Sequence, residues 1–130
     1  MIKQIKSSEI KNYIKENSNV VLLDVRTENE WATLGKPNAE DLNSKTYFVT
    51  VSPDLSNWQV PDPNFVKNVK KNINKDKTIL VMCAAGGISM IAANLLETEG
   101  YSTLNVSDGF SGNGQDPGWK NLGLPSIIDN

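Results

Sequence analysis

One cysteine, Cys83, ends an apolar run (Thr78-Ile79-Leu80-Val81-Met82) and opens a glycine-bearing turn, Ala84-Ala85-Gly86-Gly87, that leads into a helix-patterned stretch. At a strand-to-helix junction, successive backbone N–H groups converge on one small concavity, and the following helix adds its positive dipole end. Both favour the thiolate, the nucleophilic form of cysteine. Open parallel sheets also bind their ligands at the carboxyl ends of strands, where this residue falls. Cys83 is equally open to a plainer description, because free cysteine is among the most buried residue types and often only fills a core.

The residues that are missing narrow the chemistry further. There is no histidine, so a Cys-His or Ser-His pair is impossible, and activation of Cys83 falls to backbone amides, a helix dipole or a lysine. For the same reason Ser89 is expected to cap the helix or to bond the loop sulfur rather than to act as a nucleophile. One cysteine and no histidine leave almost no means of holding zinc, and no metal or organic cofactor is expected. Arg26 is the one arginine among thirteen basic residues, so bidentate recognition of an oxyanion could come from it alone. A buried arginine needs a carboxylate, and Asp24 and Glu30 are the partners expected for it. Asp24, Arg26 and Glu30 are therefore assigned to structural support.

The elements that must position these residues follow from hydrophobic patterning. The chain has 130 residues, 38% hydrophobic and 22% charged, with a net charge of −2, which predicts one domain with no pull toward nucleic acid or an anionic membrane. The first residues lack the apolar segment of a secretory signal, and no stretch is long enough to span a membrane, so a cytoplasmic protein is expected. Ile10, Tyr13 and Ile14 recur at helical spacing over residues 7–17. Val20 to Val25 reads as a buried strand, Tyr47 to Val51 as a second, Thr78 to Cys83 as a third and Thr103 to Val106 as a fourth. Phe65, Val66, Val69 and Ile73 give a helix whose lysines form a solvated face. Ile88 to Glu99 gives another that stops at Gly100. Strands alternating with helices predict an α/β fold with a parallel sheet covered on both faces.

Four segments, in order, resemble the single-domain rhodanese family. Leu22-Leu23-Asp24-Val25-Arg26 with Glu30-Trp31 and Gly35 is similar to the family's N-terminal stretch, and Cys83-Ala84-Ala85-Gly86-Gly87-Ile88-Ser89 has the length and glycine placement of its catalytic loop. Asn105-Val106-Ser107-Asp108-Gly109-Phe110 is similar to the strand and turn that follow, and Trp119 with Gly123-Leu124-Pro125 to the usual ending. The resemblance implies a three-layer domain with a central, mainly parallel sheet flanked by helices. It also implies sulfur transfer, in which Cys83 takes a sulfane sulfur, holds it as a persulfide and yields it to a nucleophilic acceptor. Small residues let the backbone of 83–89 wrap a sulfur anion, and substrate contact is expected from Ala84, Ala85, Gly86, Gly87, Ile88 and Ser89. Trp58 is added as a residue that could line the pocket mouth. The six residues from Cys83 to Ile88 suit sulfur, whereas the related phosphatases carry a longer loop ending in arginine.

Both arginines common in the family's loop are replaced here, by Ala84 and Ile88. Thiosulfate is therefore expected to be a poor donor, and the partners expected are a small sulfur donor or a persulfide-carrying protein. The alternative is a catalytically weak module of the same fold that binds a partner protein or small thiol. The proline-bearing stretch within residues 40–62 could close over the loop or stand as a fixed wall.

Overall fold

A computed structural model describes residues 1–128. In chain order its regular elements are β1 (Lys3–Ile5), α1 (Ser7–Glu16), β2 (Val20–Asp24), α2 (Glu28–Leu34), β3 (Lys36–Pro37), β4 (Thr46–Phe48), α3 (Phe65–Lys70), β5 (Thr78–Met82), α4 (Ile88–Thr98), β6 (Ser102–Val106), α5 (Gly118–Asn121) and β7 (Ser126–Ile127). Single 3₁₀ turns at Ala39–Leu42 and Leu55–Asn57 punctuate the connections on either side of β4.

Five strands form one sheet in the order β1-β6-β5-β2-β4, every pairing parallel. A separate antiparallel ribbon joins β3 to β7. A parallel sheet covered on both faces needs strands that are apolar on both sides, and β2 and β5 are such runs. Their side chains alternate between two cores. Val21, Leu23, Ile79, Val81 and Cys83 share one with Phe65 and Val69 from α3 and with Ala92, Ala93 and Leu96 from α4. Val20, Leu22, Leu80 and Met82 share the other with Ile10, Phe110 and Trp119. The result is the expected α/β arrangement of three layers.

The structure adds elements to those expected. The main sheet has five strands, not four, because Lys3–Ile5 pairs with β6 along one edge. The polar segment after Arg26 is a helix, α2, opened by a capping box. The Thr27 hydroxyl accepts from the Glu30 amide, and the Glu30 carboxylate accepts from the Thr27 amide and hydroxyl. The second strand is shorter than Tyr47 to Val51. Beyond Phe48 the chain runs on beside β2 through the Val49 and Val51 amides, which donate to the carbonyls of Asp24 and Val25 outside the regular ladder.

Asp24 and Arg26 join these parts at the end of β2. The Asp24 carboxylate accepts from the Arg26 amide at 3.0 Å, from Nε at 3.1 Å and from Nη2 at 2.8 Å. Nη2 also donates to the Gly35 carbonyl at 2.8 Å, and the guanidinium carbon lies 4.2 Å from the centre of the Phe110 ring. The pair is almost wholly removed from water. Breaking a buried ion pair leaves the other charge uncompensated, at a cost of about 3–5 kcal/mol. Asp24→Ala is accordingly expected to lose about that much stability, measured by urea unfolding, whereas Lys70→Ala, which removes an exposed ion pair with Glu99, should leave the unfolding midpoint nearly unchanged.

Candidate functional site

The strand order reverses between β2 and β5: the chain leaves β2 toward β4 and leaves β5 toward β6. Loops diverge at such a switch point and open a crevice at the carboxyl end of the sheet. A cavity of ≈ 180 Å³ lies there, between the segment after β2 and the loop after β5. Val25, Leu55, Ala84, Ala85 and Ile88 give it apolar walls, Arg26, Glu30 and Ser52 contribute polar atoms, and Cys83 opens onto it.

Cys83 follows the last residue of β5 and is 3% exposed. Its carbonyl accepts from the Phe110 amide at 2.8 Å, and the Ala84 carbonyl accepts from the Ser111 amide at 2.9 Å, so the turn after β6 supports the loop from beneath. The chain then bends at Gly86, whose φ of 94° lies in the left-handed region. A Cβ there would stand 2.1 Å from the Ser107 carbonyl oxygen, so only glycine fits. The bend turns the Gly86 amide onto the Cys83 Sγ at 3.2 Å.

Behind the sulfur runs a buried polar chain. Sγ is 3.2 Å from Ser89 Oγ, which is hydrogen-bonded to Asn105 Oδ1. Asn105 Nδ2 donates to the Gly86 carbonyl at 3.0 Å and to Gln4 Oε1 at 2.8 Å. Ser89 and Asn105 are both buried. Ala84, Ala85, Gly87 and Ile88 line the cavity, while Gly86 and Ser89 meet Cys83 through their hydrogen bonds. Among the described residues, the amides of Ala84, Ala85, Gly87, Ile88 and Ser89 donate to no protein atom. The last two are donors that the first turn of α4 leaves free by its geometry.

The remaining expected residues are placed as follows. Asp24 and Arg26 hold each other, and Glu30 caps α2 while reaching the cavity. Arg26 borders the cavity, but its Nε and Nη2 are committed to Asp24 and Gly35. Its Nη1 is buried without a hydrogen bond among the described residues. Trp58 is 39% exposed and stands outside the cavity wall; Leu55, from the same connection, is the residue in that wall. The Trp58 carbonyl anchors the connection by accepting from the Ser52 hydroxyl at 2.7 Å. Asn105, Ser52 and Leu55 were not singled out from the sequence. Asn105 carried a signal, as a polar residue inside a strand that must be buried and therefore needs partners. Among the described residues no group of three or more His, Cys, Asp or Glu side chains could hold a metal ion, and no helix is long and apolar enough to cross a membrane.

The sequence matches the rhodanese-like domain model over residues 7–114. An uncharacterized protein of Rickettsia prowazekii, RP600, is 36% identical over 126 residues, covering 96% of this chain and 97% of that protein. Among solved structures, Rv0390 from M. tuberculosis superposes with a TM-score of 0.81 at 25% identity and covers 98% of both chains. The polysulfide-sulfur transferase homodimer from Wolinella succinogenes shares the fold with a TM-score of 0.66 at 21% identity, over 99% of this chain and 80% of that one.

The two loop glycines separate geometry from mere smallness. Gly86→Ala is expected to lose roughly 1–3 kcal/mol from its positive φ alone, and to slow alkylation of Cys83 by displacing the loop. Gly87→Ala, whose added Cβ meets nothing within 4 Å, should change neither thermal stability nor alkylation rate appreciably.

Proposed function

Because this chain belongs to the rhodanese-like domain family, we propose that it is a sulfurtransferase that carries a sulfane sulfur as a persulfide on Cys83 and delivers it to a thiol or other nucleophilic acceptor. The observation that carries the proposal is the Gly86 N–H on Sγ at 3.2 Å, in a loop whose other amides donate to no protein atom among the described residues, at the one cysteine in the crevice of the sheet. The Wolinella succinogenes neighbour supports it through shared fold.

The mechanism follows from balancing atoms. The Cys83 sulfur attacks the outer sulfur of the donor, the new Sγ–S bond forms, and the donor's S–S bond breaks with its electron pair going to the leaving group. The negative charge then rests on the outer sulfur, which loop and first-turn N–H groups without a protein partner among the described residues are available to stabilise. In the second half, the acceptor attacks that outer sulfur and Cys83 is released. No metal or organic cofactor takes part.

The cavity also points to the donor. Its single guanidinium is paired with the Asp24 carboxylate, with only Nη1 left without a hydrogen bond, and its other charged group is the Glu30 carboxylate, so among the described residues every cation lining the cavity is already paired when a dianion arrives. Each missing charge-assisted hydrogen bond is worth about 1.5–3 kcal/mol, or roughly one to two decades in affinity or rate. The donor is accordingly an organic persulfide, borne by a small thiol or by a partner protein, rather than thiosulfate. Apolar Leu55 and Ile88 in the wall suit an organic group better than a sulfonate.

The test uses intact-mass spectrometry after incubation with a low-molecular-weight persulfide and, separately, with thiosulfate. The persulfide is expected to add one sulfur to wild type and none to Cys83→Ser, with thiosulfate at least about tenfold slower. Ala84→Arg should raise the thiosulfate rate by roughly one to two decades. A cysteine that alkylates normally but is loaded by neither donor refutes the proposal and leaves a binding module in its place.

A further inference from the structure

Asn105 lies in β6 with its side chain buried beneath the loop, and its amide can sit only one way round. One end faces the Gly86 carbonyl oxygen at 3.0 Å and Gln4 Oε1 at 2.8 Å. A carbonyl oxygen only accepts, so that end is Nδ2, and both of its hydrogens are committed. Oδ1 therefore faces Ser89, and Ser89 must donate to it. A hydroxyl has a single hydrogen. What Ser89 turns toward Cys83, 3.2 Å away, is a lone pair, and the partner of a lone pair is an S–H.

We propose that Asn105 is a positioning residue that fixes the direction of the chain Cys83 to Ser89 to Asn105, and so holds the unloaded nucleophile as a thiol that donates to Ser89. A thiolate in the same place would face the Ser89 lone pair. Ser89 could turn its hydrogen to the sulfur only by leaving Oδ1 without that donor in buried surroundings. The Gly86 N–H is compatible with either state, because sulfur accepts it in both. The direction of this network thus opposes the expectation, drawn from loop amides and helix dipole alone, that the resting sulfur is a thiolate.

The consequence for loading rests on the sulfurtransferase reading above. With a persulfide anion R–S–S⁻ as donor, Sγ bonds to the outer sulfur, the donor's S–S bond breaks, and its electron pair goes to the inner sulfur. The Cys83 proton leaves on that inner sulfur as R–SH. Charge and protons balance without an outside base, and the product persulfide carries the negative charge on its outer sulfur. Sγ then has no hydrogen to donate, while the Ser89 to Asn105 bond stays intact. A donor such as thiosulfate, whose leaving sulfite is a weaker base than a thiolate, takes up that proton less readily.

Because Cys83 is the one cysteine, the S–H stretching band in the infrared reports on it alone. In unloaded wild type at neutral pH the band is expected to be present and to lie below that of the unfolded chain. In Ser89→Ala, which removes the acceptor, it should move back up. Alkylation gives a second readout: Ser89→Ala should react at least as fast as wild type, and Asn105→Ala, which frees the Ser89 hydrogen for sulfur, roughly ten- to a hundredfold faster. Lack of the band in folded wild type, or alkylation slowed about tenfold in Ser89→Ala, means that Ser89 donates to a thiolate and overturns the assignment. If Asn105→Ala does not fold, the band and Ser89→Ala still decide. Neither readout requires sulfur transfer. A thiol with the expected band that no donor loads would refute the sulfurtransferase reading and leave the role of Asn105 standing.

Discussion

Two backbone hydrogen bonds, from the amides of Phe110 and Ser111 to the carbonyls of Cys83 and Ala84, fix where the sulfur sits, and much of the molecule is arranged around them. They require the turn after β6 to pass directly under the loop. Gly109 permits this, because a Cβ at its φ of 60° would lie 2.5 Å from the Ala84 backbone. Asp108 holds the same turn from the other side, accepting from the Ser7 amide at the start of α1 and from the Gly118 amide at the start of α5. Phe110 in turn lies against the Arg26 guanidinium, which Asp24 and Gly35 hold. The sulfur, the end of β2 and the starts of two helices thus share one network of contacts.

Charge in that network is directed inward. Arg26 is the only arginine, and its Nε and Nη2 are held by Asp24 and Gly35. The cavity at Cys83 is mostly apolar, with Arg26, Glu30 and Ser52 as its polar side chains. Peptide donors suit a single diffuse charge on sulfur, which needs several moderate hydrogen bonds more than one strong cation. In the same economy of groups, Asn105 joins the loop to the polar chain behind it. Its Nδ2 holds the carbonyl of the residue whose amide reaches Sγ, and its Oδ1 sets the orientation of Ser89.

The fold was legible where burial is continuous along the chain. β2 and β5 are unbroken apolar runs because both faces of the sheet are covered, and α4 shows its period and its glycine stop. Elements held together by tertiary pairing left little trace. The three residues of β1 gain their structure from β6, and α2 is announced by one capping box, Thr27 to Glu30, inside a polar stretch. The site divides the same way. The residues 83–89 are contiguous and could be read as a unit. Leu55 and Ser52 reach the cavity from a long connection whose path depends on packing, and Trp58, the larger and more conspicuous side chain there, lies outside the cavity wall. Asn105 shows that a polar residue inside an otherwise apolar strand can mark a site as clearly as a motif does.

The central claim is that the loop holds a transferable sulfur, and single-turnover transfer tests it most directly. Protein loaded with isotope-labelled sulfane sulfur is freed of donor, mixed with a small thiol, and followed until the label leaves Cys83. The account predicts that one labelled sulfur per chain appears on the thiol as a persulfide, that Cys83 returns to its original mass, and that Cys83→Ser carries no label at any stage. Label that stays on the protein in the presence of excess thiol, or label found equally on Cys83→Ser, would contradict it.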